Sequence, residues 1–278
     1  MMSATSSSKD SSRRRMLIGV AVSVFALAAS AVPHGQAPAG QQRAPNPSLR
    51  ELAPIDLAGY WVSVVTEDFR YRMVMPLKGD YGSVPLNAEG RRVADTWTPE
   101  QAGQCEAFGV GAVMRAPGRV HIMWDDDSTL KIETEAGQQT RRLPLAKAAP
   151  SSSAASWQGS SVASWDGPPD VIDVLRTGGF DNLSRGSGAA ARRQAWTPLK
   201  VVTTNLRAGW LRANGVPYSA KAVVTEHFMR FAVPDGGEWL TVRTVVDDPT
   251  YLVQPFMTST NFKKEADGSK WSPKACRE

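Results

Sequence analysis

Across most of the chain beyond residue 56, apolar and polar side chains alternate with a period of two, and no long window keeps apolar residues at helical spacing. A segment of that kind has one face to bury and one to wet, which is the signature of antiparallel sheet. Strand-like runs are residues 59–66, 69–75, 119–124, 130–134, 138–143 and 157–165, then 222–233 and 238–246. Asp125-Asp126-Asp127-Ser128 separates one hairpin pair and Pro234-Asp235-Gly236-Gly237 another, each supplying the residues tight turns need. At least eight strands on short connections must close on themselves or leave sticky edges, so the predicted fold is mostly β, an antiparallel barrel with loop insertions. A two-sheet sandwich is the alternative. A barrel of about eight strands has room inside for side chains or for one small ligand.

Register follows from loop length. A four-residue loop at 234–237 pairs Phe231 with Leu240, Met229 with Val242, His227 with Thr244 and Thr225 with Val246. This expectation turns His227 into the barrel, between Thr225 and Thr244, and leaves Glu226, Phe228 and Arg230 outside. In the earlier hairpin Val120, Ile122 and Trp124 meet Leu130, Ile132 and Thr134 on the apolar face, while His121 lies opposite Glu133 on the polar one.

With 42% apolar and 21% charged residues among 278, the composition is globular. The net charge of +5 overstates the basicity of the body: Lys9, Arg13, Arg14 and Arg15 and one acid, Asp10, lie in the first 15 positions, and 28 basic residues face 26 acidic ones after them. No dense basic stripe follows, so nucleic acid is not an expected partner. Residues 1–31 have the parts of a signal peptide: a basic start, an apolar run from Met16 to Ala29 too short for a membrane span, and Ala29-Ser30-Ala31 for cleavage. Ser12-Arg13-Arg14-Arg15-Met16-Leu17 resembles a twin-arginine signal, and the expected location is periplasmic or secreted. Residues 32–47 read as a flexible tether of Pro, Ala, Gly and Gln, residues 48–278 as a single barrel domain, and residues 166–195 as a flexible insertion with a helical turn at 171–176. In an oxidising compartment Cys105 and Cys276 are expected to bridge.

An inward His227 has an ordinary pKa suited to proton transfer near neutrality, and Glu67, Asp68, Asp247 and Asp248 stand near strand ends as acidic partners. Tyr60, Trp61, Tyr71, Met73, Met75, Trp157 and Trp165 supply an aromatic and thioether lining for a hydrophobic ligand. Three scattered histidines lack ligand spacing, Asp125 to Asp127 read as solvated turn acids, and nucleophile-elbow and phosphate-loop patterns are absent, so neither metal nor cofactor is expected.

Gly59-Tyr60-Trp61 resembles the Gly-x-Trp start of lipocalin-type barrels. Asp56 to Asp68, Trp124 to Ile132, Val224 to Phe228, Thr244 to Leu252 and Gln254-Pro255-Phe256 together resemble an uncharacterised family of exported bacterial proteins. That resemblance implies an exported β-rich fold and carries no activity with it. Three functions follow as expectations: a barrel binding a small hydrophobic molecule in its interior, a cofactor-independent isomerase or lyase using His227 with Glu67 or Asp68, and a structural or interaction protein with a solid core.

Overall fold

The computed structural model describes residues 47–145, 154–166, 197–234 and 236–278. The expected signal peptide, nearly all of the tether, and the insertion beyond Asp166 with its helical turn lie outside those residues. The chain runs through β1 (Gly59–Val64), two short helices α1 (Phe69–Arg72) and α2 (Ala88–Ala94), then β2 (Arg119–Trp124), β3 (Thr129–Thr134), β4 (Ala136–Gly137), β5 (Thr140–Pro144) and β6 (Ser160–Trp165). There follow β7 (Leu199–Thr204), β8 (Gly209–Arg212), β9 (Val216–Tyr218), β10 (Val223–Ala232), β11 (Glu238–Asp247), β12 (Phe256–Glu265) and β13 (Lys274–Ala275).

Nine strands make one sheet in the order β5-β3-β2-β1-β12-β11-β10-β7-β6, every neighbouring pair antiparallel, and the sheet curls into a nearly closed barrel of the lipocalin-like kind. Nine is an odd number. The first and last strands therefore run the same way, and the seam between β5 and β6 is parallel, marked among the described residues by the single bridge Leu145–Ala163. Trp61, Ile122, Leu130, Ile132, Leu143, Leu199, Phe228 and Phe262 point inward and pack on one another. A second apolar cluster, including Leu86, Val110, Leu211, Tyr218 and Leu252, joins one barrel end to α2 and the β8–β9 hairpin.

The first hairpin has the expected register, with His121 opposite Glu133. The second does not. The Val233 N–H donates to Gly237 O at 2.9 Å and the Gly236 N–H to Val233 O at 3.0 Å, while Gly236 takes φ 82°, the left-handed geometry of a three-residue loop. One residue fewer in the loop slips the pairing by one: Phe228 meets Val242, Glu226 meets Thr244 and His227 meets Arg243. Every side chain of β10 thereby changes face.

The expected strand at 69–75 is a second correction. Asp68 takes φ 51°, ψ 32° and turns the chain into α1, where the Arg72 Nε–H donates to Arg115 O at 2.9 Å. That tertiary anchor overrides the strand propensity of Phe69 and Tyr71. Cys105 and Cys276 form the expected disulfide, and the tail also pairs β13 with β4 in parallel.

Candidate functional site

Inside the barrel, one layer is ionic. Arg141 of β5 and Glu226 of β10 are 1% and 0% exposed and meet through both guanidinium Nη groups, with Nη1 at 3.0 Å from Oε1. Around the closed circuit they lie on either side of the seam, so the pair ties together strands that share no backbone ladder there. A groove of ≈ 400 Å³ follows the same seam, bordered by Thr140, Arg142, Gln158 and Ser160. Neither Arg141 nor Glu226 is legible as a site from alternation, which assigns charged positions to the outer face.

His227 sits on the outer face of β10, contrary to the expected inward placement. Its Nε2 lies 3.3 Å from an Asp166 carboxylate oxygen, and its Nδ1 lies 3.3 Å from Arg243 Nη2. Because the guanidinium only donates, Nδ1 accepts and Nε2–H faces Asp166. Both nitrogens are thus engaged, and no lone pair is left for a substrate proton. Burial, with Arg243 next, holds the imidazole pKa below its ordinary value against the pull of Asp166. His121 is lowered as well, first by burial, where it stacks on Tyr60 at 3.8 Å between ring centroids.

Two histidines with depressed folded-state values add stability that is complete above the ordinary histidine pKa and lost as the medium is acidified below it, because the unfolded chain takes the protons first. The unfolding midpoint is therefore expected to fall between pH 7 and pH 5, and His121→Gln is expected to flatten that fall. A profile unchanged by the substitution would show that His121 takes no part.

The remaining expected site residues are dispersed. Trp61 is core, its indole N–H donating to Leu57 O at 3.0 Å, and Thr244 faces inward beside Glu226. Tyr60 and Thr225 lie on the outer face, Trp165 packs partly against the core, and the Trp157 ring lies under the Arg207 guanidinium at 4.0 Å. Asp248 is buried as a turn cap, accepting from Ser219 N and Oγ at 2.6 and 2.8 Å. Among the described residues, Trp61 belongs to the packed core cluster and Trp165 rests against it.

Glu67, Asp68, Tyr71 and Met73 do come together, on the rim segment 67–82. Glu67 accepts from Arg72 Nη1 at 2.6 Å and Asp68 from Arg115 Nη2 at 2.7 Å, so both carboxylates serve buried arginines rather than His227. The Arg212 guanidinium lies over the Tyr71 ring at 3.7 Å. Phe69, Met73, Val74, Met75 and Leu77 project from the same segment with 48% to 79% of their surface exposed. Five exposed large apolar side chains within nine residues concentrate apolar surface on this segment, whereas scattered exposed Leu or Met is ordinary. Among the described residues, no helix is long and apolar enough to cross a membrane. Comparison with protein families, curated proteins and solved structures yields no match for this chain.

Proposed function

We propose that this is an exported, lipocalin-like barrel that binds a small hydrophobic molecule, and that it does so on the rim segment 67–82 rather than in the barrel interior. The observation that carries the reading is the exposed run Phe69, Met73, Val74, Met75 and Leu77, held in place by Arg72 beneath it. Water on this much clustered apolar surface is unfavourable at roughly 25 cal/mol per Å², and an apolar ligand laid across it removes that cost. Met side chains adapt to irregular ligands, which favours small molecules of varied shape. The export assignment rests on the leader pattern of residues 1–31 and fits a body closed by a disulfide. Chemistry at His227 has less support, because its two nitrogens are already engaged.

The test is titration of the protein with the fluorescent apolar probe 1-N-phenylnaphthylamine. The combined variant Met73→Ser, Met75→Ser, Leu77→Ser is expected to bind it at least about tenfold more weakly with little change in unfolding midpoint, since exposed substitutions usually alter stability by only about 0.5 kcal/mol. Equal binding by the variant and the parent would remove the rim from the account.

A further inference from the structure

Beneath the rim, three arginines from distant parts of the chain converge: Arg72 on α1, Arg115 in the turn 113–115, and Arg212 at the end of β8. The side chains of Arg72 and Arg115 are 2% and 7% exposed, and Arg212 is 4% exposed. Some of their N–H groups are committed, Arg72 to Arg115 O and Glu67, Arg115 to Asp68, and Arg212 Nη1 to Gly82 O at 2.6 Å. Four are not. The four guanidinium nitrogens Arg72 Nη2, Arg115 Nη1, and Nε and Nη2 of Arg212 are buried from solvent with no acceptor among the described residues.

Buried donors are almost always satisfied, and leaving one without an acceptor costs about 1–3 kcal/mol, more where the group is charged. Four at one place call for an explanation. Burial, with Arg115 contributing, lowers the proton affinity of both Arg72 and Arg212, so the charges sense one another. The local carboxylates are taken: Glu67 by Arg72, Asp68 by Arg115, and Asp80 by Arg70 at 2.5 Å. Arg212 makes no ion pair among the described residues and rests on the Tyr71 ring and the Gly82 carbonyl. With Arg70 included, four guanidinium charges thus face three carboxylates among the described residues. The missing component is one negative charge presenting several acceptor oxygens, which planar guanidinium forks recognise well.

We propose that Arg72, Arg115 and Arg212 bind an oxyanion, the carboxylate or phosphate head group of the molecule whose apolar part lies on the rim. Glu67 and Asp68, which pair with Arg72 and Arg115, keep 29% and 33% of their side-chain surface exposed, so the cluster is shallowest on their side. The inference deepens the rim reading by naming the ligand as an amphiphilic anion, and its test separates the two. The full-length mature protein is titrated with decanoate, decanol and inorganic phosphate, reading both affinity and unfolding midpoint.

The expected result is decanoate binding at least about tenfold tighter than decanol, and loss of that preference in Arg212→Lys, which keeps the charge and removes two of the four free donors. Should that variant fail to fold, the decanoate-to-decanol ratio of the parent and its decline with added salt decide the matter. Equal binding of decanoate and decanol overturns the oxyanion site and leaves the apolar rim. A rise in midpoint with phosphate, with neither decyl compound bound, keeps the oxyanion site and overturns the rim. No effect from any of the three overturns both. A decanoate preference untouched by Arg212→Lys assigns the preference elsewhere and defeats the proposal.

Discussion

Glu226→Leu is expected to destabilise the protein by about 3–5 kcal/mol, because it strands the Arg141 guanidinium in an apolar interior with no countercharge. For a domain of this size each kcal/mol moves the unfolding midpoint by about 2–4 °C, so the drop should be on the order of 10 °C. The double variant Arg141→Met, Glu226→Leu removes both charges and is expected to recover most of that loss, as apolar replacements of buried ion pairs commonly do. Thermal unfolding of the two variants beside the parent makes the check. The seam gives the pair its importance: β5 and β6 run parallel with one bridge between them among the described residues, and the Arg141–Glu226 contact spans that gap from inside. A single variant as stable as the parent would mean that the seam holds without the pair.

Loss of the disulfide should have an effect of similar size. Cys105 and Cys276 are separated by 171 positions, and closing a loop of that length stabilises by about 5 kcal/mol in the chain-entropy description. The tail has other attachments: the Cys105 N–H donates to Arg277 O at 2.9 Å, and the Ser272 N–H to a Glu135 carboxylate oxygen at 2.6 Å. In Cys105→Ser, Cys276→Ser the tail is expected to remain docked at low temperature while the unfolding midpoint falls by roughly 10 °C. Trp271 makes edge contacts with Tyr60 and His121, so the difference in fluorescence between the parent and a Trp271→Phe version of each protein reports the docking. A midpoint that does not move would place the tail's stabilisation in its hydrogen bonds and aromatic contacts alone.

The hairpin β10–β11 shows where reading residues in order stops being sufficient. Both faces of β10 carry apolar groups, Met229 and Phe231 on one and Val224 and Phe228 on the other, so alternation alone does not choose between them. The difference of one residue in the loop chooses, and Arg141 inside the barrel receives the Glu226 that this choice turns inward. The strands β7 and β12 were not marked by the pattern, although β12 lies between β1 and β11 at the middle of the sheet. Its sequence from Phe256 to Glu265 is rich in Thr, Ser, Asn and Lys, which fit an inner position only because neighbouring strands satisfy the backbone on both sides.

Local chemistry by itself determined the β class, the barrel closure, the first hairpin with its His121–Glu133 pairing, and the Cys105–Cys276 bridge. Each of these depends on period-two burial, on turn residues or on the pairing of two lone thiols, and those are properties of neighbours along the chain or of composition. Tertiary structure alone decided the odd strand count and its parallel seam, the inward Arg141–Glu226 pair, the outward turn of His227, and the gathering of Arg72, Arg115 and Arg212 under the rim. The ion pair and the arginine cluster join residues 43 to 140 positions apart, and their energies come from burial and charge pairing that exist only once the sheet has curled.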